Sequence, residues 1–469
     1  MRVRIAVVVA LCLLVAPTAS APAARDALRG TWVGTYSVAG PGRIALTING
    51  SRAVVALGTG HAGPQTLPLK RTATGFRVAI PGRPTAIVLD ARLRSGRLTG
   101  TVRQGVRGTF AATRGSAAAL TAPGFYAGAG GPVAAVDDPY GPSRLVDLDS
   151  GEVHALYGRG AGFEIGSGFA TRAPVKGTAT FVADRAVIAG ARAPRMRTRQ
   201  LEVRIPARNA TLSGTLTLPV GRGPYPAVAF VHGSGPTERA YLPDLQAVLV
   251  RNGVAVLAYD KRGIGQSGGS YPGESPTAGT IDVLARDASA AVHFLAAQPE
   301  IDRARVGLAG HSQAGWIMPL AASRDRAMRF LISFSGPAAT AGENDAYQNL
   351  TGQGESPPRL TPDQIDAEVA RGGRSGVDPV PWIKAAKIPM LWLYGGLDQH
   401  IPARLSMRRL ELVAAEAGRE IEVEVFPNAN HALVETRTGL TSEMLRSNRF
   451  APGLFPAVRA WLTAHRFRS

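Results

Sequence analysis

The pattern of apolar and polar residues changes along the chain and divides it into β-rich and mixed parts. Between about residues 29 and 115, short alternating runs are separated by turn signals such as Asn49-Gly50 and Ser95-Gly96. Alternation with a period of two places successive side chains on opposite faces of a strand. The runs that predict strands are 31–38, 43–48, 53–57, 75–80 and 98–102. Their spacing of about ten residues predicts a small antiparallel barrel or sandwich over residues 25–120.

A second β-rich module is predicted over residues 121–200. Its clearest element is a hairpin, in which residues 143–148 and 152–157 flank the turn Asp149-Ser150-Gly151. The acidic residues near this hairpin do not have the spacing of an EF-hand, so no metal site is predicted. Residues 191–200 are rich in Arg and Ala, and we interpret them as a linker or an exposed edge.

From about residue 201 to 469 the pattern is different. An entry hairpin (201–205 and 212–219) is followed by short apolar runs that alternate with segments long enough for helices, such as 281–297. The apolar runs are 227–231, 254–259, 306–309, 330–334, 390–394 and 421–426. Strands buried on both faces have this composition, so the pattern predicts an α/β fold with a mostly parallel sheet and helices on both faces. Residues 343–387 interrupt the alternation and are predicted to form a cap over the site.

The N-terminus has the pattern of a signal peptide. Arg2 and Arg4 precede an apolar run from Ile5 to Ala16, and small residues follow. We therefore expect residues 1–23 to be removed and the protein to be secreted or extracytoplasmic. The single cysteine, Cys12, lies in this run, which excludes disulfides, thiolate metal sites and a cysteine nucleophile from the mature chain.

The positive charge of the chain is concentrated before residue 200. The formal net charge is +19, and residues 25–200 contain 23 Lys and Arg against 9 Asp and Glu. The arginines are scattered, aromatic residues are sparse, and no nucleic-acid-binding motif is present, so nucleic acid is not a predicted partner. A solvated basic face remains one interpretation. Contact with an anionic cell-envelope polymer or membrane surface is the other.

The chemistry of the chain is predicted to centre on residues 306–316. An apolar run leads into Gly310-His311-Ser312-Gln313-Ala314-Gly315, and a segment compatible with a helix follows. A nucleophile elbow turns sharply from strand to helix, and small neighbours are needed because the backbone at the serine is strained. Ala314 stands where the usual pattern has glycine, with Gly315 one place later. The predicted nucleophile is Ser312, and the Gln313 N–H at the helix start is one predicted oxyanion donor.

A serine nucleophile needs a base, and the base needs an acid that orients it. Asp398 follows the apolar run 390–394, and His431 follows the run 421–426. Because ligands bind outside the carboxyl ends of strands in open α/β sheets, both side chains are expected at one edge. The second oxyanion donor is predicted in His232-Gly233-Ser234-Gly235-Pro236. We assign it to the Ser234 N–H, with Gly233 as the alternative.

Two side chains are alternatives to this assignment. His400 is an alternative base, and the Ser234 hydroxyl is an alternative nucleophile. His311 is expected to shape the pocket. Residues 263–268 match G-x-G-x-x-G, but Pro272 and Pro276 follow where a dinucleotide site needs a helix, so a tight turn held by Asp260 is predicted.

Together these motifs resemble the α/β-hydrolase superfamily, and most of all serine esterases of its dienelactone-hydrolase and prolyl-oligopeptidase-like branch. The resemblance covers about residues 200–465 and is carried by residues 232–236, 259–267, 310–315, 396–398 and 431. It implies an eight-stranded sheet, a Ser312-Asp398-His431 triad and no cofactor.

The function predicted from these residues is that of an exported serine hydrolase. It would cleave small-molecule carboxylic esters through an acyl-enzyme intermediate. Two alternatives stay open at this point. One is a serine peptidase or amidase of the prolyl-oligopeptidase-like type, and the other is a non-catalytic envelope-binding protein.

Overall fold

The computed structural model describes most of the chain after residue 25. The described residues are 26–37, 41–57, 65–80, 86–104, 106–114, 122–137, 143–159, 162–169, 171, 173–444 and 446–468. The predicted signal peptide, residues 1–23, lies outside the described residues. Among the described residues, no helix is both long enough and apolar enough to span a bilayer.

The N-terminal module is a nine-stranded antiparallel sheet in the order β4-β3-β2-β1-β9-β8-β7-β6-β5. Its strands are β1 Gly30–Ser37, β2 Pro41–Asn49, β3 Arg52–Leu57, β4 Gln65–Pro68, β5 Lys70–Thr72, β6 Gly75–Ile80, β7 Ile87–Arg94, β8 Arg97–Gln104 and β9 Val106–Arg114. Alternate side chains point inward and form a hydrophobic cluster that contains only residues of this module. Trp32 is fully buried in this cluster, and its Nε1 donates to the Leu28 carbonyl oxygen at 2.8 Å. The module therefore has its own core.

The second module is a closed eight-stranded barrel, in which β10 pairs with both β11 and β17. Its strands are β10 Gly124–Gly128, β11 Gly131–Val136, β12 Arg144–Asp147, β13 Val153–Arg159, β14 Gly162–Ile165, β15 Gly177–Val182, β16 Arg185–Ile188 and β17 Ala191–Met196. The predicted hairpin appears as β12 and β13. The prediction of a linker at 191–200 was wrong, because Ala191–Met196 closes the barrel and the next strand begins at Arg199.

The C-terminal domain is built on an eight-stranded sheet in the order β18-β19-β21-β20-β22-β23-β24-β25. Its strands are β18 Arg199–Ala207, β19 Ala210–Leu218, β20 Tyr225–Val231, β21 Ala255–Tyr259, β22 Ile301–His311, β23 Leu331–Phe334, β24 Met390–Gly395 and β25 Ile421–Phe426. The first two pairings, β18 with β19 and β19 with β21, are antiparallel. The other five are parallel, so the carboxyl ends of the last six strands in the order meet at one edge.

Nine α-helices are described in this domain. They are α1 Pro243–Arg251, α2 Ala278–Ala296, α3 Ala314–Arg324, α4 Ala341–Thr351, α5 Pro362–Gly372, α6 Val380–Ala385, α7 Ala403–Ala417, α8 Thr441–Met444 and α9 Leu454–Ala464. Two buried clusters cover the central strands. The interval predicted to be a cap, residues 343–387, contains most of α4 together with α5 and α6.

The barrel packs against the C-terminal domain through a shared hydrophobic cluster. Phe125, Val153 and Phe169 of the barrel lie in the same buried cluster as Val248 of α1 and Phe450. A buried ion pair crosses the same boundary, since Arg144 of β12 donates to Asp244 of α1 at 2.6 Å. The barrel and the C-terminal domain therefore share one buried hydrophobic cluster, and the barrel has a second cluster of its own.

Candidate active site

Ser312 lies on a tight turn between β22 and α3. Its φ angle is +58°, in the left-handed region that costs free energy for a residue with a side chain. A Cβ atom on Gly310 would lie 2.6 Å from the Ala314 Cβ and 2.7 Å from the Val231 carbonyl oxygen. One on Gly315 would lie 2.6 Å from the Pro337 nitrogen. Alanine fits at position 314 because Gly310 opposite it has no side chain.

The turn leaves the N–H group of Gln313, directly before helix α3, without a backbone partner among the described residues. The Ser312 N–H donates to the Phe334 carbonyl oxygen at 3.0 Å, and the Ser312 carbonyl accepts from the Gly315 N–H at 2.8 Å. Gln313 has helical φ and ψ angles. Within the part of the chain that the structure describes, no acceptor bonds the Gln313 N–H. An unsatisfied N–H at a helix start is suited to bind developing negative charge.

Asp398 and His431 are brought together at the carboxyl ends of β24 and β25. Asp398 Oδ2 accepts from His431 Nδ1 at 2.8 Å, and the Asp398 side chain is fully buried. Because a carboxylate oxygen only accepts, Nδ1 carries the proton, and Nε2 of the neutral ring is left as the basic nitrogen.

Burial raises the pKa of the Asp398 carboxyl to about 6. The charge of His400 and the backbone N–H groups of His400 and Ile401 act in the opposite direction. These two N–H groups donate to Asp398 Oδ1 at 2.7 and 2.9 Å. Above about pH 6 the carboxylate is therefore ionised and orients His431.

The ring of His431 lies between two other histidine rings. The ring centroid of His311 lies 4.6 Å from that of His431. The ring of His400 is stacked on the ring of His431, with 4.7 Å between their centroids. His431 bonds the Asp398 carboxylate through its ring nitrogen, whereas His400 bonds this carboxylate through its backbone N–H. This geometry favours His431 over His400 as the base.

His311 links the nucleophile turn to the histidine loop. Its Nε2 lies 2.9 Å from the His431 carbonyl oxygen, and its Nδ1 lies 2.8 Å from the Tyr241 hydroxyl. A carbonyl can only accept, so Nε2 carries a proton, and Nδ1 of the neutral ring accepts from Tyr241. His311 therefore holds the His431 backbone against the turn that carries Ser312.

The loop after β20 lies against Ser312. A Cβ atom on Gly233 would lie 3.3 Å from the Ser312 Cβ and 2.5 Å from the Tyr241 hydroxyl, so a side chain at 233 would displace the loop. Ser234 follows with no acceptor for its N–H among the described residues. This N–H is available as a second donor beside the nucleophile.

Lys261 bonds this loop, and the sequence analysis did not predict this contact. Its Nζ donates to the Gly233 carbonyl oxygen at 2.7 Å and to the Gly235 carbonyl oxygen at 2.8 Å. These two carbonyls flank Ser234. The Lys261 side chain is buried, and burial lowers its pKa to about 7. The one available signal was a lysine placed directly after the apolar run 254–259, where a charge is costly unless it is bonded.

Residues 263–268 form a tight turn, as the sequence analysis predicted. Asp260 Oδ2 accepts from the Gln266 N–H and from the Arg239 guanidinium, both at 2.9 Å. No helix begins between residues 263 and 277, since the next helix after this turn is α2, which starts at Ala278. The G-x-G-x-x-G match therefore lacks the helix N-terminus that would hold a pyrophosphate.

The barrel supports the segment that carries His431. Phe450 donates its N–H to the Gly151 carbonyl at 2.9 Å, and the Val153 N–H donates to the Asn448 carbonyl at 2.7 Å. On its other side, the same segment bonds the histidine loop, since the Ala451 N–H donates to the Leu433 carbonyl at 2.8 Å. Residues 433–435, 448–451 and 151–153 thus form a small ribbon two residues from His431.

The first helix of the interval 343–387 is attached to the loop of the acid. The Tyr347 hydroxyl donates to the Asp398 carbonyl at 2.6 Å, and Gln348 Nε2 donates to the His400 carbonyl at 3.0 Å. The Thr351 hydroxyl donates to the Gln399 carbonyl at 2.5 Å. Helix α4 therefore borders the site and is fixed there.

Several known proteins with similar sequences are named as hydrolases. Residues 223–362 match the family model described as "Serine aminopeptidase, S33". The chain is 27% identical to the esterase EstD of Thermotoga maritima over 252 residues, 48% of this chain and 58% of that protein. It is 34% identical to the thiohydrolase AneE of Aspergillus aculeatus over 122 residues, 26% of this chain and 36% of that protein. The chain thus spans less than two thirds of the length of either relative.

Among solved structures, an esterase of Pyrococcus furiosus is similar to 58% of this chain and 92% of its own, with a TM-score of 0.42 and 19% identity. The family match covers the loop of residues 232–236 and the Ser312 turn. The part of the chain that contains the Ser312 turn, residues 223–362, therefore matches a family of α/β hydrolases, and the similar proteins include one that is named as an esterase.

Proposed function

We propose that this protein is an exported serine hydrolase that cleaves carboxylic esters. The single observation that carries the proposal is the 2.8 Å bond between Asp398 and His431 beside the strained Ser312 turn. A buried acid, an oriented imidazole and a serine held at the tip of an elbow are the parts that acyl transfer needs. The name of the Thermotoga relative, an esterase, agrees with this chemistry.

The reaction runs in two halves. Ser312 Oγ attacks the acyl carbon while His431 Nε2 takes its proton, and the Gln313 and Ser234 N–H groups bind the oxyanion. The imidazolium then gives its proton to the departing alcohol, which leaves an ester between Ser312 and the acyl group. In the second half, His431 takes a proton from water as the water oxygen attacks the same carbon. The imidazolium then returns that proton to Ser312 Oγ as the bond between Oγ and the acyl carbon breaks, which releases the carboxylic acid.

The test of this proposal compares two serines that lie close together in the site. Ser312→Ala removes the nucleophile, and kcat on p-nitrophenyl esters should fall on the order of a million-fold. Ser234→Ala keeps the backbone N–H and removes only the hydroxyl, so its kcat should stay within a few-fold of wild type. If Ser312→Ala kept most of the activity, or if Ser234→Ala lost it, the assigned nucleophile would be wrong.

A second candidate is hydrolysis of peptide or other amide bonds. It is favoured by the description of the matching family model, a serine aminopeptidase. The same triad would serve, with an amine as leaving group. Parallel kcat/KM measurements on p-nitrophenyl esters and aminoacyl-p-nitroanilides distinguish the two. A fluorophosphonate probe distinguishes both from a non-catalytic binding protein, because only an activated serine is labelled.

Export belongs to the same proposal. It is supported by the apolar run that follows Arg2 and Arg4 and by the small residues after that run. N-terminal sequencing of the protein isolated from its native host should find a mature chain that begins close after Ala23.

A further inference from the structure

The N-terminal module has an exposed face covered with arginines. In strands β6 to β9 the inward positions hold apolar side chains such as Phe76, Leu89 and Phe110. Many outward positions of these four strands hold arginines, and these arginines are exposed. We call this surface the arginine face, and its members are Arg77, Arg92, Arg94, Arg97, Arg103 and Arg107.

The register of the strands places like charges opposite each other. Arg94 of β7 is paired with Arg97 of β8, and Arg103 of β8 is paired with Arg107 of β9. Like charges directly opposite on one face of a sheet are destabilising. The fold therefore carries two repulsive pairs on a surface where any polar residue would be tolerated.

Few acidic side chains balance this charge. Asp90 lies at the centre of the face, where Arg77 bonds it at 2.5 Å and Arg103 lies 3.6 Å away. Within the described residues, Arg92, Arg94 and Arg97 have no carboxylate partner. From residue 26 to 114 the sequence contains thirteen Lys and Arg but two Asp and no Glu. The face is thus a rigid array of cations that lacks its counter-charges.

The chemistry of the face selects among anionic partners. Arginine presents a planar fork of donors that matches phosphate and carboxylate groups, and Arg rather than Lys fills every cationic position here. Outward positions on one strand are about 6.6 Å apart, and neighbouring strands are about 4.8 Å apart. An extended chain with an anionic group every few ångströms can therefore contact several arginines at once.

Two other classes of partner fit this surface less well. Binding of single-stranded nucleic acid uses exposed aromatic rings for base stacking, but Phe76 and Phe110 of these strands are buried. Peripheral membrane binding usually inserts apolar side chains, and in the described part of these strands no large apolar side chain is exposed. Thr99 and Thr109 lie between the arginines instead.

From this charge pattern we propose that the arginine face binds a linear acidic polymer, one with closely spaced phosphate or carboxylate groups and no aromatic bases. The binding site is separate from the catalytic domain and does not depend on the function proposed for it. It assigns to the N-terminal module the task of attaching the protein to a polyanion.

The experiment uses the full mature chain and long-chain inorganic polyphosphate as the probe. The variant Arg94→Gln/Arg97→Gln/Arg103→Gln/Arg107→Gln removes four cations and both repulsive pairs, so it should fold at least as stably as wild type. Its matched control, Arg222→Gln/Arg303→Gln/Arg326→Gln/Arg329→Gln, removes the same charge from exposed positions of the catalytic domain. Dissociation constants are measured over a salt series, and thermal unfolding checks both folds.

The dissociation constant of the first variant should rise at least tenfold at 50 mM salt, and the slope of log K against log salt should fall by about three. The control variant should change the constant less than twofold. Equal losses in both variants would show that total charge, not this face, causes binding and would overturn the proposal. Tighter binding to oligo-dT or to phosphatidylglycerol vesicles than to polyphosphate would overturn it as well, because the partner would then be nucleic acid or membrane.

Discussion

Replacing Lys261 by methionine tests how the oxyanion loop is held. Methionine has nearly the same length and no charge, so the side chain can still fill the buried space. The change removes both hydrogen bonds to the carbonyls of Gly233 and Gly235. A buried carbonyl without a partner costs about 1–3 kcal/mol, so the loop loses about 2–6 kcal/mol of stabilisation.

A second effect of the same substitution has the opposite sign. Burial lowers the pKa of Lys261 from 10.5 to about 7, which corresponds to about 5 kcal/mol of penalty on the charged form. Methionine does not carry this penalty. The two effects are similar in size, so the free energy of unfolding of Lys261→Met should differ little from that of wild type near neutral pH. The substitution should instead act locally and displace the Ser234 N–H. Because loss of one oxyanion donor lowers kcat about 10²–10³-fold, kcat should fall by about this factor.

The assay combines kcat on a p-nitrophenyl ester with thermal unfolding and titration of active sites by a fluorophosphonate. Lys387→Met, at an exposed lysine, is the matched control and should leave kcat and Tm unchanged. Stability against pH gives an independent readout. Between about pH 7 and 10.5 the unfolded chain keeps the Lys261 proton and the folded chain releases it, so wild-type stability should rise with pH. Lys261→Met should lack this rise. A variant with wild-type kcat, or with an unaltered pH slope, would refute the reasoning.

Two further predictions concern the barrel and the acid. Phe169→Ala and Phe163→Ala should each lower the free energy of unfolding by about 3–5 kcal/mol. Well below Tm only Phe169→Ala should also lower kcat, because Phe169 packs edge-on against Phe450 at 5.3 Å whereas Phe163 lies in the barrel's own core; equal kcat in both variants would contradict this. Since burial raises the pKa of Asp398 to about 6, wild-type kcat/KM should fall as pH decreases through that value. Asp398→Asn should lower kcat about 10⁴-fold and change the position of that acid limb, and an unchanged profile would exclude Asp398 as the partner of His431.

Most strands of the C-terminal domain could be predicted because they contain short runs rich in apolar residues. The runs 390–394 and 421–426 appear almost unchanged as β24 and β25. Since the carboxyl ends of parallel strands share one edge, chain order alone predicted that Asp398 and His431 would meet. The bond between them agrees with that prediction, while their catalytic roles and that of Ser312 stay predictions until the variants are measured.

The barrel could not be predicted as closed because its last strand has an unusual composition. Residues 191–196 contain two arginines and a proline, and Ala193 is the one fully inward residue. Pairing with β16 and β10, not an apolar run, makes this segment a strand. Likewise, the contacts of Lys261 and His311 join segments that are distant in sequence, so no local sequence pattern predicts them.

Helix α4 is fixed by three hydrogen bonds to the loop that carries Asp398. This has a consequence for how the proposed active site could adapt to other substrates. Helix α4 is bonded through three side chains to three carbonyls of the loop that carries Asp398. These bonds join Tyr347 to Asp398, Gln348 to His400 and Thr351 to Gln399. The helix therefore cannot move away from the site without disturbing Asp398. New substrates would therefore have to be accommodated by smaller side chains along helix α4, while mutations that loosen the ends of this helix would lower catalytic activity. Directed evolution for bulkier esters should accumulate its substitutions between these three anchors and spare the anchors themselves.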